Sequence, residues 1–98
     1  MSLNQQKEEE YFRRMQQGDV RSFEYFFKSY MNLLYTYALG FVKSRKPTEN
    51  IIQDVFVYFW NNRKQIRCTG SIYAYLLRAV QNACINYREH ENVEYRYE

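Results

Sequence analysis

A chain of 98 residues has room for one domain built on a single modest core. Its 46% hydrophobic and 26% charged residues exclude the disordered class, and no apolar run approaches the ~20 residues of a membrane span. A net charge of +3 is too mild to name a partner, although cations gather at Lys43, Arg45 and Lys46 and again at Arg63, Lys64 and Arg67, where phosphate binding and a plain solvated face are both open readings.

Three Gly and one Pro are sparse punctuation, which favours helices. Gln5 to Gln17 is rich in helix formers, gathers Tyr11, Phe12 and Met15 on one face, and meets a stop at Gly18. Asp19 then reads as the N-cap of a second helix. That helix has the clearest period: Phe23, Phe26, Phe27, Tyr30, Leu33, Leu34, Tyr37, Ala38 and Phe41 recur at spacings of three and four. All nine are expected in the core, with Phe27 among the rings whose loss should be most costly, and Gly40 is read as permitting close packing. A third helix begins around Ser44 with Pro47 in its first turn, and buries Ile51, Ile52, Val55, Phe56 and Phe59. Arg63 to Ser71 reads as a basic loop broken by Gly70. A fourth helix follows from Ser71 to about His90, with Ile72, Leu76, Ala79, Val80, Ala83 and Tyr87 inward; Val93 to Glu98 either extends it or frays. The expected fold is all-α, a compact bundle of three or four helices in one domain spanning residues 1–98.

The chemistry of enzymes is missing from the pattern. There is no glycine-rich phosphate loop and no HExxH, and His90 is the one histidine in the sequence. Asp54 with Glu49 is a pair of helix-surface carboxylates before it is an acid–base dyad. Cys68 and Cys84 form no CxxC pair, so neither a metal nor another cofactor is expected, and two lone thiols fit a reducing cytosol. The reading is a binding module in the cytoplasm, with no small-molecule substrate and no membrane insertion.

Two constellations carry that reading. On the third helix Asn50, Gln53, Asp54 and Trp60, with Val57, lie on or beside the face opposite the buried stripe; polar groups around a large aromatic suit protein docking. Trp60 closing the bundle is the competing reading. On the fourth, Tyr75, Arg78 and Asn82 fall at i, i+3 and i+7, with Ser71 one turn earlier. A ring for stacking, a guanidinium for phosphate and an amide for a base edge are what a single-strand binder uses. The competing reading there is an ordinary wet helix face.

Three segments in register bear a resemblance. Gly18 to Phe27 resembles the opening of region 2 of extracytoplasmic-function (ECF) sigma factors. Glu49 to Trp60 looks like that family's acidic, glutamine-bearing helix ending in Trp, and Ser71 to Arg88 is similar to its Tyr-Leu, Arg and Asn helix. The aromatic-rich composition looks most like factors of Bacteroidetes. The resemblance covers about residues 17–88. It implies that Asn50, Gln53, Asp54 and Trp60, with Phe56 nearby, dock on the β′ clamp helices of core RNA polymerase. It implies further that Arg63, Lys64, Arg67, Ser71, Tyr75, Arg78 and Asn82 capture the unwound non-template strand of the promoter minus-ten element, with a base flipped out near Asn82. An anti-sigma protein is the further partner it implies.

Departures accompany the match. Asn50 stands where an acid usually follows Glu49, and Gln81 and Ala83 occupy positions that are often basic. No counterpart of the family's second module, a helix-turn-helix, follows, so the chain is expected not to start transcription alone. Two alternatives stay open: a helical interaction domain without a nucleic-acid role, and a duplex-reading helix-turn-helix. The second needs several exposed cations on a recognition helix, where only Arg78 and Arg88 stand.

Overall fold

The computed structural model describes the backbone of residues 3–67 and 70–97 and the side chains of residues 5–67 and 70–91. Cys68, read above as an unpaired thiol, lies outside them, as does Glu98. Four helices account for the described chain: α1 (Leu3–Gln16), α2 (Val20–Val42), α3 (Arg45–Asn61) and α4 (Ile72–Tyr97). Among the described residues there is no strand, and no helix is long and apolar enough to cross a membrane.

The first corner follows from two residues. Gly18 takes φ 101°, a left-handed conformation that a Cβ would strain. From there its N–H reaches Met15 O at 2.9 Å and the N–H of Asp19 reaches Arg14 O at 3.1 Å, the paired bonds of a Schellman cap. The same Asp19 opens α2, where Oδ1 accepts from Arg21 N and Oδ2 from the Ser22 hydroxyl, each at 3.0 Å. The second corner has no glycine: Lys43 takes φ 63° and returns its N–H to Leu39 O. Ser44 starts α3 in an extended conformation without a side-chain cap bond; its carbonyl accepts from the Thr48 hydroxyl at 2.6 Å. Pro47 sits in the first turn as expected. At the other end α4 continues past His90 to Tyr97, so the C-terminal stretch extends the helix.

The core is narrower on α2 than the periodicity implies. Ser22, Phe26, Leu34 and Ala38 are buried and Tyr30 partly so, which is one i+4 ridge. Phe27, Leu33 and Tyr37 flank that ridge and are exposed, Leu33 by 56%. A three-and-four spacing cannot separate a ridge from its shoulders, so these three are corrected to surface or rim positions. Gly40 meets nothing within 4 Å of where a Cβ would lie, and mediates no close packing. On α4 the buried ridge is again i+4: Ile72, Leu76, Val80 and Cys84. Ala79, Ala83 and Tyr87 pack at its margin. Burial pushes the Cys84 thiol pKa up.

On α3 all five expected core residues are buried, joined by Thr48. Phe59 is where the bundle meets: its ring contacts Phe12 of α1, Phe23 and Phe26 of α2, and Tyr75 of α4, at centroid distances of 5.9 to 6.3 Å. The contacts set the directions. Tyr11 on Tyr25 and Glu8 on Tyr30 run α1 antiparallel to α2, and Phe23 on Trp60 with Phe27 on Phe56 do the same for α3. Tyr30 on Tyr73 and Arg88 over Phe41 run α4 parallel to α2. Tyr30 donates its hydroxyl to Glu8, and burial first, then this carboxylate, push its pKa above the ordinary phenol range.

Candidate functional site

The inner face of α3 is committed to the core, which fixes what its outer face presents. Asn50, Gln53, Val57 and Trp60 form one row at i, i+3, i+7 and i+10, with Asp54 beside it. Asn50, Gln53 and Asp54 are exposed, and their side chains make no hydrogen bond or ion pair among the described residues. Phe56 is 2% exposed, so it belongs to the core and reaches the surface only as the floor of a groove. That groove, of about 400 Å³, runs between α2 and α3; Phe23, Phe27, Met31 and Tyr35 form one wall, Ile52 and Val57 the other and Phe56 the floor, with Glu49 and Gln53 at the rim. Sequence spacing hides it, because Phe27 falls within the apolar stripe of α2 and is nonetheless 37% exposed.

Trp60 has a divided environment. Its ring packs edge-on against Phe23 at 5.4 Å, while the Arg63 guanidinium lies over it at 4.0 Å. Arg63 also donates from Nη1 to the Trp60 carbonyl at 2.9 Å, and its Nε is buried without a hydrogen-bond partner among the described residues. Its cation is therefore held by the bundle. Lys64 and Arg67 remain exposed beside it and unpaired among the described residues.

The turn that carries these cations is tightly closed. Asn62 O accepts from Gln65 N at 3.0 Å and Ile66 N at 3.1 Å, and Ile66 is buried in the core. Beyond residues 68–69, Ser71 acts as a cap: its hydroxyl accepts from Ala74 N at 3.0 Å. Tyr75 is half-buried with its ring 5.9 Å from Phe59, so it faces inward. Arg78 and Asn82, four residues apart, are exposed and unengaged among the described residues. Ile85, 47% exposed, follows three residues after Asn82 on the same face. The structure thus collects Asn50, Gln53, Asp54 and Trp60 on one row and its flank. On α4 it turns Arg78 and Asn82 outward and Tyr75 inward.

Residues 26–92 match the sigma-70 region 2 family, more than half of the chain. The chain belongs to that family. Sigma-70 region 2 domains take part in promoter recognition and in binding RNA polymerase, and the four-helix, strand-free fold agrees with one. No curated protein and no solved structure matches the chain. The matched stretch takes in α3, the basic turn and the described face of α4, and leaves out α1 and the α1–α2 corner.

Proposed function

We propose that this chain is the promoter-opening region 2 of an ECF-type sigma factor, working in the cytosol. The outer row of α3 docks on the β′ clamp helices, and the basic turn with the outer face of α4 holds the unwound non-template strand of the minus-ten element. The observation that carries this reading is the separation of two faces on consecutive elements. One offers neutral and acidic hydrogen-bonding groups beside an apolar groove, and the other offers cations followed by an exposed amide.

The division of labour follows from chemistry. Asn50, Gln53 and Asp54 supply polar contacts, while the groove walled by Phe27 and Val57 supplies the apolar part a protein interface needs at its centre. Lys64, Arg67 and Arg78 meet phosphates, which carry no sequence information. Asn82 both donates and accepts, so it can read the edge of an extruded base. Tyr75 supports this face from within, its ring leaning on Phe59 at 5.9 Å. Arg63, held over Trp60, shapes this surface rather than reaching for a phosphate. An anti-sigma protein is the expected regulator.

The reading is tested by assembling the protein with core polymerase. Asp54→Lys and Gln53→Ala should each weaken assembly without shifting the melting temperature. Unchanged affinity in both variants would remove the docking assignment.

A further inference from the structure

The last residue of α1 makes a contact that the two faces above do not use. The Gln16 amide donates from Nε2 to Arg63 O at 2.9 Å and to Ile66 O at 3.2 Å, across 47 and 50 residues of sequence. A primary amide has two N–H donors, and both are spent on this turn. The two carbonyls flank Lys64 and Gln65, which point outward, and the second precedes Arg67. Asn62 closes the same turn from inside, and Ile66 anchors it in the core. Arg63 reaches back toward the α1–α2 corner, where a Cβ added at Gly18 would lie 4.0 Å from its Nη2.

We propose that Gln16 is a positioning residue: it latches the 62–66 turn so that Lys64 and Arg67 are presented to the DNA strand in one fixed arrangement. This rests on the reading that the turn meets DNA. The physical case is one of entropy. Two long cationic side chains on a free loop lose much conformational freedom on binding, whereas a turn already fixed at its carbonyls leaves only the side chains to be ordered. An ionised glutamate of the same length cannot donate. Gln16→Met keeps the length and the packing while deleting both donors.

The test measures three quantities on Gln16→Met, with Gln16→Glu as a second variant. Assembly with core polymerase should be unchanged. Affinity of the assembled holoenzyme for a fluorescent minus-ten single strand should fall about three- to tenfold, the scale of ordering one long side chain on binding. In a Lys64→Ala/Arg67→Ala background the same substitution should cause no further loss, because its effect runs through those two cations. A general loss of stability would appear in both backgrounds. Amide hydrogen exchange at Gln65 and Ile66 should rise in Gln16→Met. Unchanged strand affinity, an equal loss in both backgrounds, or unchanged exchange each overturns the latch. If Lys64→Ala/Arg67→Ala by itself leaves strand affinity intact, the DNA reading of the turn fails first, and the inference falls with it.

Discussion

The groove side of the bundle and the outer face of α4 are built on opposite plans. Between α2 and α3 the residues offered to a partner are also structural: Phe56 is buried, Phe27 packs on it at 5.0 Å, and Trp60 leans on Phe23 under Arg63. On α4 and the turn before it, Lys64, Arg67, Arg78 and Asn82 stand clear of the fold and are unengaged among the described residues. The difference teaches that substitutions of the packed rings in the first region, Phe56 and Trp60 among them, will mix stability with binding. In the second region the two should separate cleanly.

The comparison breaks most visibly at the hub that both regions share. Phe59→Ala removes a ring of α3 touched by the three other helices and should cost about 3–5 kcal/mol. That is a large fraction of the stability of so small a domain, and denaturant unfolding would show it. Phe27→Ala should cost clearly less, since that ring is 37% exposed. Equal costs for the two would mean that the α2 ridge has been drawn in the wrong place.

Trp60→Ala is the sharper case, because it should lower the melting temperature and the polymerase affinity together. Asp54→Lys, on the exposed row, should lose about tenfold or more in polymerase affinity and nothing in melting temperature, because it reverses the charge offered to the proposed partner. If Trp60→Ala leaves binding intact in the protein that remains folded, Trp60 serves the bundle alone.

A smaller effect lies in alkaline solution. The fold holds Tyr30 protonated against Glu8 and keeps its pKa raised, so this contribution is complete below the ordinary phenol value of about 10 and declines as pH rises beyond it. The raised Cys84 thiol adds a loss of the same sign that begins about a unit lower. Melting curves from pH 7 to 11 should fall less steeply above pH 10 for Tyr30→Phe than for the parent. Parallel slopes would show that Tyr30 is not held in this way.

How much of this was legible in the sequence depends on the kind of signal. Helix type and caps were, because Gly18, Asp19 and Pro47 are local and each has one physical use where it stands. The buried stripe of α3 was also readable, with Asn50 before it and Gln53 and Asp54 between Ile52 and Val55 marking the outer face. On α2 apolar residues occupy both the ridge and its shoulders, so periodicity could not tell Phe26 from Phe27. The groove beside Gln53 was hidden for the same reason. Ser22, Thr48 and Cys84 were missed because a small polar side chain is buried only where a local acceptor or a tight gap receives it, and such gaps are tertiary. The outward Arg78 and Asn82 were found from helical spacing, but the inward turn of Tyr75 depends on Phe59, a helix away. Arg63 looked like a phosphate ligand until Trp60 was beneath it. Gln16 carried no signal at all, since its partners are backbone carbonyls far along the chain.

On the proposed function, the outer face of α4 reads a base while the basic turn only attracts the strand. Titrating a fluorescent minus-ten strand into holoenzyme assembled with this protein, and repeating it with single-base changes, separates those two roles. Lys64→Ala should weaken every sequence alike and flatten the dependence on salt. Asn82→Ala should erase discrimination at one base, a difference of about 1–3 kcal/mol, and leave the salt dependence as it was. Equal losses from both substitutions on every sequence would contradict the account, leaving α4 as a cationic surface without a reading residue.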